Sequence, residues 1–152
     1  MRAMNSAIRL AVIAASTLLI SQPAARAQQG TVAVASIPFA FQINEQHLPA
    51  GRYTVRLQSD HILRLSSKTD SGLIEVNWGS AKYRSKTGVL VFHRYGNQYF
   101  LREMYFGPGS DLLTTPQSKQ ERDAQKEGAR VAKTGGPTQQ SDVDLALTEP
   151  SK

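Results

Sequence analysis

The chain contains no cysteine. That excludes disulfide staples, thiolate nucleophiles, cysteine zinc sites and lipid attachment at a cysteine behind a leader. Histidine is scarce: His47, His61 and His93 are the three, and none stands in a metal-binding spacing. There is one tryptophan, Trp78. The apolar run Leu10 to Ile20 has eleven residues, short of the roughly 20 that a membrane-spanning helix needs. Neither glycine-rich phosphate loop occurs, in its Walker or its dinucleotide form. No serine sits in a nucleophile-elbow context. No cofactor, no metal and no catalytic residue are therefore expected.

What is present begins with a leader. Arg2 and Arg9 precede or flank the short apolar run, and Ala25-Arg26-Ala27 supplies small residues at the cleavage positions. This is the layout of a secretory signal peptide over residues 1–27, with a membrane anchor as the competing reading. Export is expected, to the periplasm or outside the cell, with no transmembrane anchor in the mature chain. Losing Arg2, Arg9 and Arg26 lowers the formal net charge from +6 to +3, an excess that reads as a solubility feature. The remainder has the length of one domain, large enough to bury a core without staples.

The densest apolar and aromatic stretch is Val89 to Phe106. Gly96-Asn97 divides it into two runs rich in β-branched and aromatic residues, the signature of a hairpin. A two-residue turn places Phe92 opposite Leu101, Arg94 opposite Tyr99, His93 opposite Phe100 and Val91 opposite Arg102. Leu90, Phe92, Tyr99 and Leu101 make one apolar face. Val89, Val91, Phe100 and Met104 make most of the other. A pair apolar on both faces is covered on both, or carries a bulge.

Alternation marks the other strands. Phe39, Phe41 and Ile43 alternate within Val32 to Ile43, where Pro38 cannot donate to a ladder and marks an edge, a bulge or a break. Pro49 and Gly51 form a turn into Arg52 to Gln58, with Tyr53, Val55 and Leu57 inward and Arg52, Thr54 and Arg56 outward. Leu63 and Leu65 point inward around Arg64. Ile74, Val76 and Trp78 form the buried set of the next strand. Ser118-x-x-Glu121 resembles a capping box, opening a surface helix with few apolar residues. The fold expected is mainly β: a single antiparallel β-sandwich or small partly open barrel of six to seven strands over 28–116, a C-terminal helix over 117–133 and a disordered tail over 134–152.

For binding, Lys82, Tyr83, Arg84 and Lys86 place three cations around an aromatic, suited to a sulfated sugar, a lipopolysaccharide phosphate or nucleic acid, the last being disfavoured. A solvated hairpin loop is the plainer reading. Trp78 precedes this loop and suits either stacking on a sugar or capping the core. His93 is a base in a pocket or a ring stacked on a sheet surface.

Ile37-Pro-Phe-Ala-Phe41, Leu48-Pro-Ala-Gly-Arg-Tyr-Thr-Val55, Leu90 to Asn97 with Tyr99 to Glu103, and Ser118 to Arg122 stand together in this chain. Over about residues 32 to 127 it resembles a group of uncharacterised small secreted β-domain proteins of soil bacteria. The resemblance implies export and a compact β domain, and carries no active site. The function expected is a non-catalytic binding or interaction module of the cell envelope or beyond it, whose partner is an envelope polyanion, a polysaccharide or a protein. The alternatives are a β-barrel for a small apolar ligand, its cavity lined by Phe92, Tyr99 and Leu101, and a small hydrolase using His93 or His61.

Overall fold

The computed structural model describes residues 32–79, 86–136 and 140–149; the leader at 1–27 and loop residues Lys82, Tyr83 and Arg84 lie outside the described residues. Its organising element is the hairpin of β8 (Val89–Tyr95) and β9 (Gln98–Tyr105). Gly96 turns it with φ 63°, a left-handed angle that glycine adopts without a Cβ clash. Phe92 faces Leu101, His93 faces Phe100 and Arg94 faces Tyr99, as the turn predicts. Val91, however, faces Glu103. The pairing expected with Arg102 fails because a bulge intervenes, leaving Arg102 as the extra residue of β9. Thr115 holds that bulge. Its amide donates to the Arg102 carbonyl at 2.8 Å and its hydroxyl donates to the Leu101 carbonyl at 2.7 Å.

One sheet has four strands in the order β1 (Val32–Ile37), β4 (Gly51–Ser59), β5 (Ile62–Ser66) and β6 (Ser71–Glu75). The other is built on the hairpin. β10 (Leu112–Thr114) joins β9 and β7 (Asn77–Gly79) joins β10, while β2 (Phe41–Ile43) and β3 (Gln46–Leu48) attach as a short pair through β2 and β9. β11 (Gln140–Ala146) completes it alongside β8. The described residues thus hold eleven strands, more than the six to seven expected. The chain breaks after Ile37, next to Pro38, and again at Val76, and four strands have only three residues.

The two sheets share one core. Ala35, Tyr53, Val55, Leu63, Leu65 and Ile74 of the first meet Leu90, Phe92, Leu101, Met104 and Leu113 of the second. Two inward faces interdigitating in this way form a sandwich. Phe39 and Phe41 both approach Phe92 edge-on, at 5.3 and 5.4 Å, and Phe39 stacks on Tyr99 at 3.9 Å. The Tyr53 hydroxyl donates to the Pro49 carbonyl at 2.8 Å, tying the entry turn to β4.

The second face of the hairpin is also covered, as its sequence requires: Val89, Val91, Tyr95 and Phe100 are all buried. The helix α1 (Lys119–Lys133) lies against β8. The Ser118 hydroxyl caps it by accepting from the Glu121 amide at 3.1 Å. At its end the Gly136 amide donates to the Val131 carbonyl (3.0 Å) and the Gly135 amide to the Ala132 carbonyl (3.2 Å). With Gly135 at φ 86°, this is a Schellman turn.

The disordered tail expected over 134–152 needs correction at its described residues 140–149. Gln140–Ala146 pairs with the whole of β8, from Gln140 opposite Tyr95 to Ala146 opposite Val89. Beyond it Leu147 is buried in the core, and Thr148 exchanges two 2.8 Å backbone bonds with Val34 of β1. Polar composition misleads here because a strand at a sheet edge is held by its backbone. Only Val143, Leu145 and Leu147 turn inward.

Candidate functional site

Two constellations stand out, one under the helix and one on open sheet. The first gathers around Glu121. This carboxylate lies in the first turn of α1 and is 2 % exposed. In a complete capping box it would reach back to the cap residue. Here it points at the sheet instead. Its Oε2 stands 3.5 Å from Nη1 of Arg102, and its Oε1 stands 3.4 Å from Nδ1 of His93. The other ring nitrogen of His93 faces Asp142 of β11 at 3.7 Å. The imidazole thus touches carboxylates from two elements. Tyr95 closes the group, edge-on to His93 and to Phe100. Its burial, and then the Glu121 charge, push its phenol above the usual tyrosine range, against the pull of Arg102.

Arg102 joins by simple alternation, two residues beyond Phe100 on the helix side of β9. The bulge reverses the phase after it, so that Met104, expected on this second face, turns into the main core instead. The small positions Ala124 and Gly128 sit on the half-buried side of α1. Chemically, a buried carboxylate shared by an arginine and an imidazole is a docking device: it locates the helix over the hairpin.

The second constellation lies on the outward face of the four-stranded sheet. Arg56 of β4 stands directly opposite Arg64 of β5, and Arg64 directly opposite Leu73 of β6. All three are exposed, Leu73 by 55 %. Side chains so paired stand about 5 Å apart at Cβ. Neither arginine has an ion-pair partner among the described residues. Glu75, opposite Ile62, holds only the diagonal position. Beside this row a cleft of about 480 Å³ runs between the start of β4 and the β5–β6 loop, past Arg52, Thr54, Ser66 and Lys68. A second, of about 420 Å³, is lined by Gln58, Arg64 and Leu73.

The residues expected to bind separate. Trp78 lies on β7 opposite Leu113 and is 46 % exposed, so it borders the core and does not fill it. The expectation that it belongs to the buried set of its strand fails because that strand breaks at Val76 and β7 runs at the sheet end. Lys86 is exposed. His93 belongs to the Glu121 cluster, and none of the clefts described above includes it. Sequence reasoning named Arg56 and Arg64 as outward-facing but did not join them. It missed the partnership of Glu121 and Asp142 with His93. The signal for Arg56 and Arg64 was their alternation, since neighbouring strands that both point arginine outward bring them close in any in-phase register.

Comparison with known proteins returns no matching family, no similar curated sequence and no similar solved structure. Among the described residues no helix is long and apolar enough to cross a membrane, and no group of three or more metal-ligating side chains occurs. The class of the molecule is therefore set by its fold: a mainly β, two-sheet domain with one C-terminal helix.

Proposed function

We propose that this chain is an exported, non-catalytic binding module that engages an anionic partner of the cell envelope or its surroundings through the outward face of its four-stranded sheet. The observation that carries this reading is the cross-strand pairing of Arg56 with Arg64. Like charges directly opposite each other on a sheet destabilise it. Two arginines left side by side, exposed and without acid partners, are a cost to the free protein that an anion repays. Planar guanidinium groups at this spacing suit bidentate capture of sulfate, phosphate or carboxylate groups on a polymer. Leu73 on the same row adds apolar contact, and the hydroxyls of Thr54 and Ser66 add adaptable donors nearby. Export rests on the leader reading and on the resemblance to small secreted β-domain proteins. The apolar-ligand barrel draws no support from Phe92 and Tyr99, whose surroundings are filled by Phe39 and Phe41.

The test is retention on immobilised dextran sulfate in a salt gradient. The wild type is expected to elute at clearly higher salt than an Arg56→Ser/Arg64→Ser variant, because two phosphate- or sulfate-type contacts steepen the salt dependence. Retention unchanged in that variant, but lost when Lys82, Arg84 and Lys86 are neutralised, would move the site to the loop.

A further inference from the structure

The segment Gln140–Glu149 is attached in an unusual way. Seven residues of β11 pair with β8, and Val34 and Thr148 exchange backbone bonds. Yet most of its side chains are exposed, Leu147 being the one fully buried. Leu147 seats beside Gly88, where a Cβ would stand 3.0 Å from the leucine side chain; its amide donates to the Gly88 carbonyl at 2.8 Å. Withdrawing the segment would take Leu147 from the main core and Val143 and Leu145 from its margin, and leave the rest of the core in place. It would also leave β8, with buried Val89 and Val91, as an open and apolar edge, which sheets do not tolerate. The demand for a strand at β8 is thus constant, while the supply hangs on a turn. That turn is the Schellman motif at Gly135 and Gly136, which holds the chain in a left-handed bend.

We propose that Gln140–Glu149 is an exchangeable strand, which leaves β8 of its own chain and pairs with β8 of a second copy to give a reciprocally swapped dimer. The partner is a second copy because the fit is specific to this sequence. Val143 meets Phe92, Leu145 meets Leu90, Asp142 faces His93, and Leu147 fills the space that Gly88 leaves. A swap rebuilds each of these contacts between chains and changes only the hinge. Its unfavourable term is the entropy of association, so the swapped form grows with concentration.

The absence of cysteine makes the test clean. Ser141 stands opposite Arg94. A chain carrying Ser141→Cys is mixed with one carrying Arg94→Cys, unfolded, refolded together at high concentration and oxidised. The expected product is a disulfide-linked dimer of the two different chains, in a yield that rises with refolding concentration. The same mixing with Arg64→Cys, on the other sheet, should give no such product. No linked dimer, when the double variant closes its own intrachain disulfide, overturns the proposal. A second readout needs no disulfide. Gly135→Val disfavours the left-handed turn by about tenfold per chain, so it should raise the dimerisation constant by about a hundredfold, measured by native mass spectrometry. Wild type and Gly135→Val both monomeric at every concentration overturns it equally.

Discussion

Glu121 Oε2 lies 3.5 Å from Nη1 of Arg102, and that contact fastens the first turn of α1 to the bulge of β9. The carboxylate is buried, while its partner is only partly exposed to solvent. Removing one member of such a pair leaves the other desolvated and uncompensated. Glu121→Ala is therefore expected to destabilise the protein by about 3 kcal/mol, read as a lowered urea midpoint. Glu121→Gln keeps the volume and one acceptor and should cost less. If Glu121→Ala leaves the midpoint within error of wild type, the carboxylate does not dock the helix.

Gly128 lies in the middle of α1, and a Cβ built there meets nothing within 4 Å. Glycine in a helix interior forfeits backbone entropy that alanine does not. Gly128→Ala should stabilise the protein by about 0.5–1 kcal/mol. Thermal unfolding followed by circular dichroism decides it; a lowered midpoint would mean the helix approaches β8 more closely than its open Cβ position indicates.

Gly88 is the opposite case. A Cβ there would stand 2.9 Å from the Tyr105 carbonyl oxygen and 3.0 Å from the Leu147 side chain. Backbone cannot yield as a flexible side-chain end does. Gly88→Ala should cost about 1–3 kcal/mol, in the range of overpacked cores. It should also loosen the C-terminal segment before the rest of the sandwich. Hydrogen exchange at the amides of Leu147 and Thr148, which bond Gly88 and Val34, should accelerate more than that of the β4–β5 ladder; uniform acceleration would count against a local role.

How much of this was legible in the sequence depends on what each feature is made of. Tyr53, Val55, Leu63 and Leu65 could be placed inward because a half-buried strand repeats every two residues, and all four are fully buried. The hairpin register followed from Gly96-Asn97. The bulge at Arg102 did not, because one extra residue in a strand alters pairing without altering composition. β11 escaped notice for a related reason: Val143 and Leu145 are half-buried and its other positions exposed and mostly polar, so a strand held by its ladder reads as a tail. The Ser118 capping box was recognisable, but the direction of the Glu121 side chain was not, since it depends on Arg102 and His93, which reach it through tertiary packing. Arg56 and Arg64 showed their orientation and concealed their adjacency, which belongs to register alone.

The last prediction concerns alkaline pH. Burial first, and then the charges of Glu121 and Asp142, raise the Tyr95 phenol above its usual value, with Arg102 opposing. Tyr53 is raised in the same direction by burial and by Asp70. A phenol whose pKa is higher in the folded than in the unfolded chain keeps its full contribution below the unfolded value of about 10, and loses it as the pH climbs through the folded value. Wild-type stability should therefore fall between about pH 9.5 and pH 11.5 more steeply than that of Tyr95→Phe, which has no phenol to ionise against Glu121. Urea midpoints of the two proteins, measured in parallel across that window, should fall more for wild type than for the variant as pH rises. Tyr53→Phe supplies the internal comparison: its difference should add to that of Tyr95→Phe in the double variant, because the two tyrosines sit on different sheets and share no contact in the Glu121 cluster. Parallel midpoints for wild type and Tyr95→Phe would show that the phenol ionises no less readily in the folded chain than in the unfolded one, and that the Glu121 charge does not reach it.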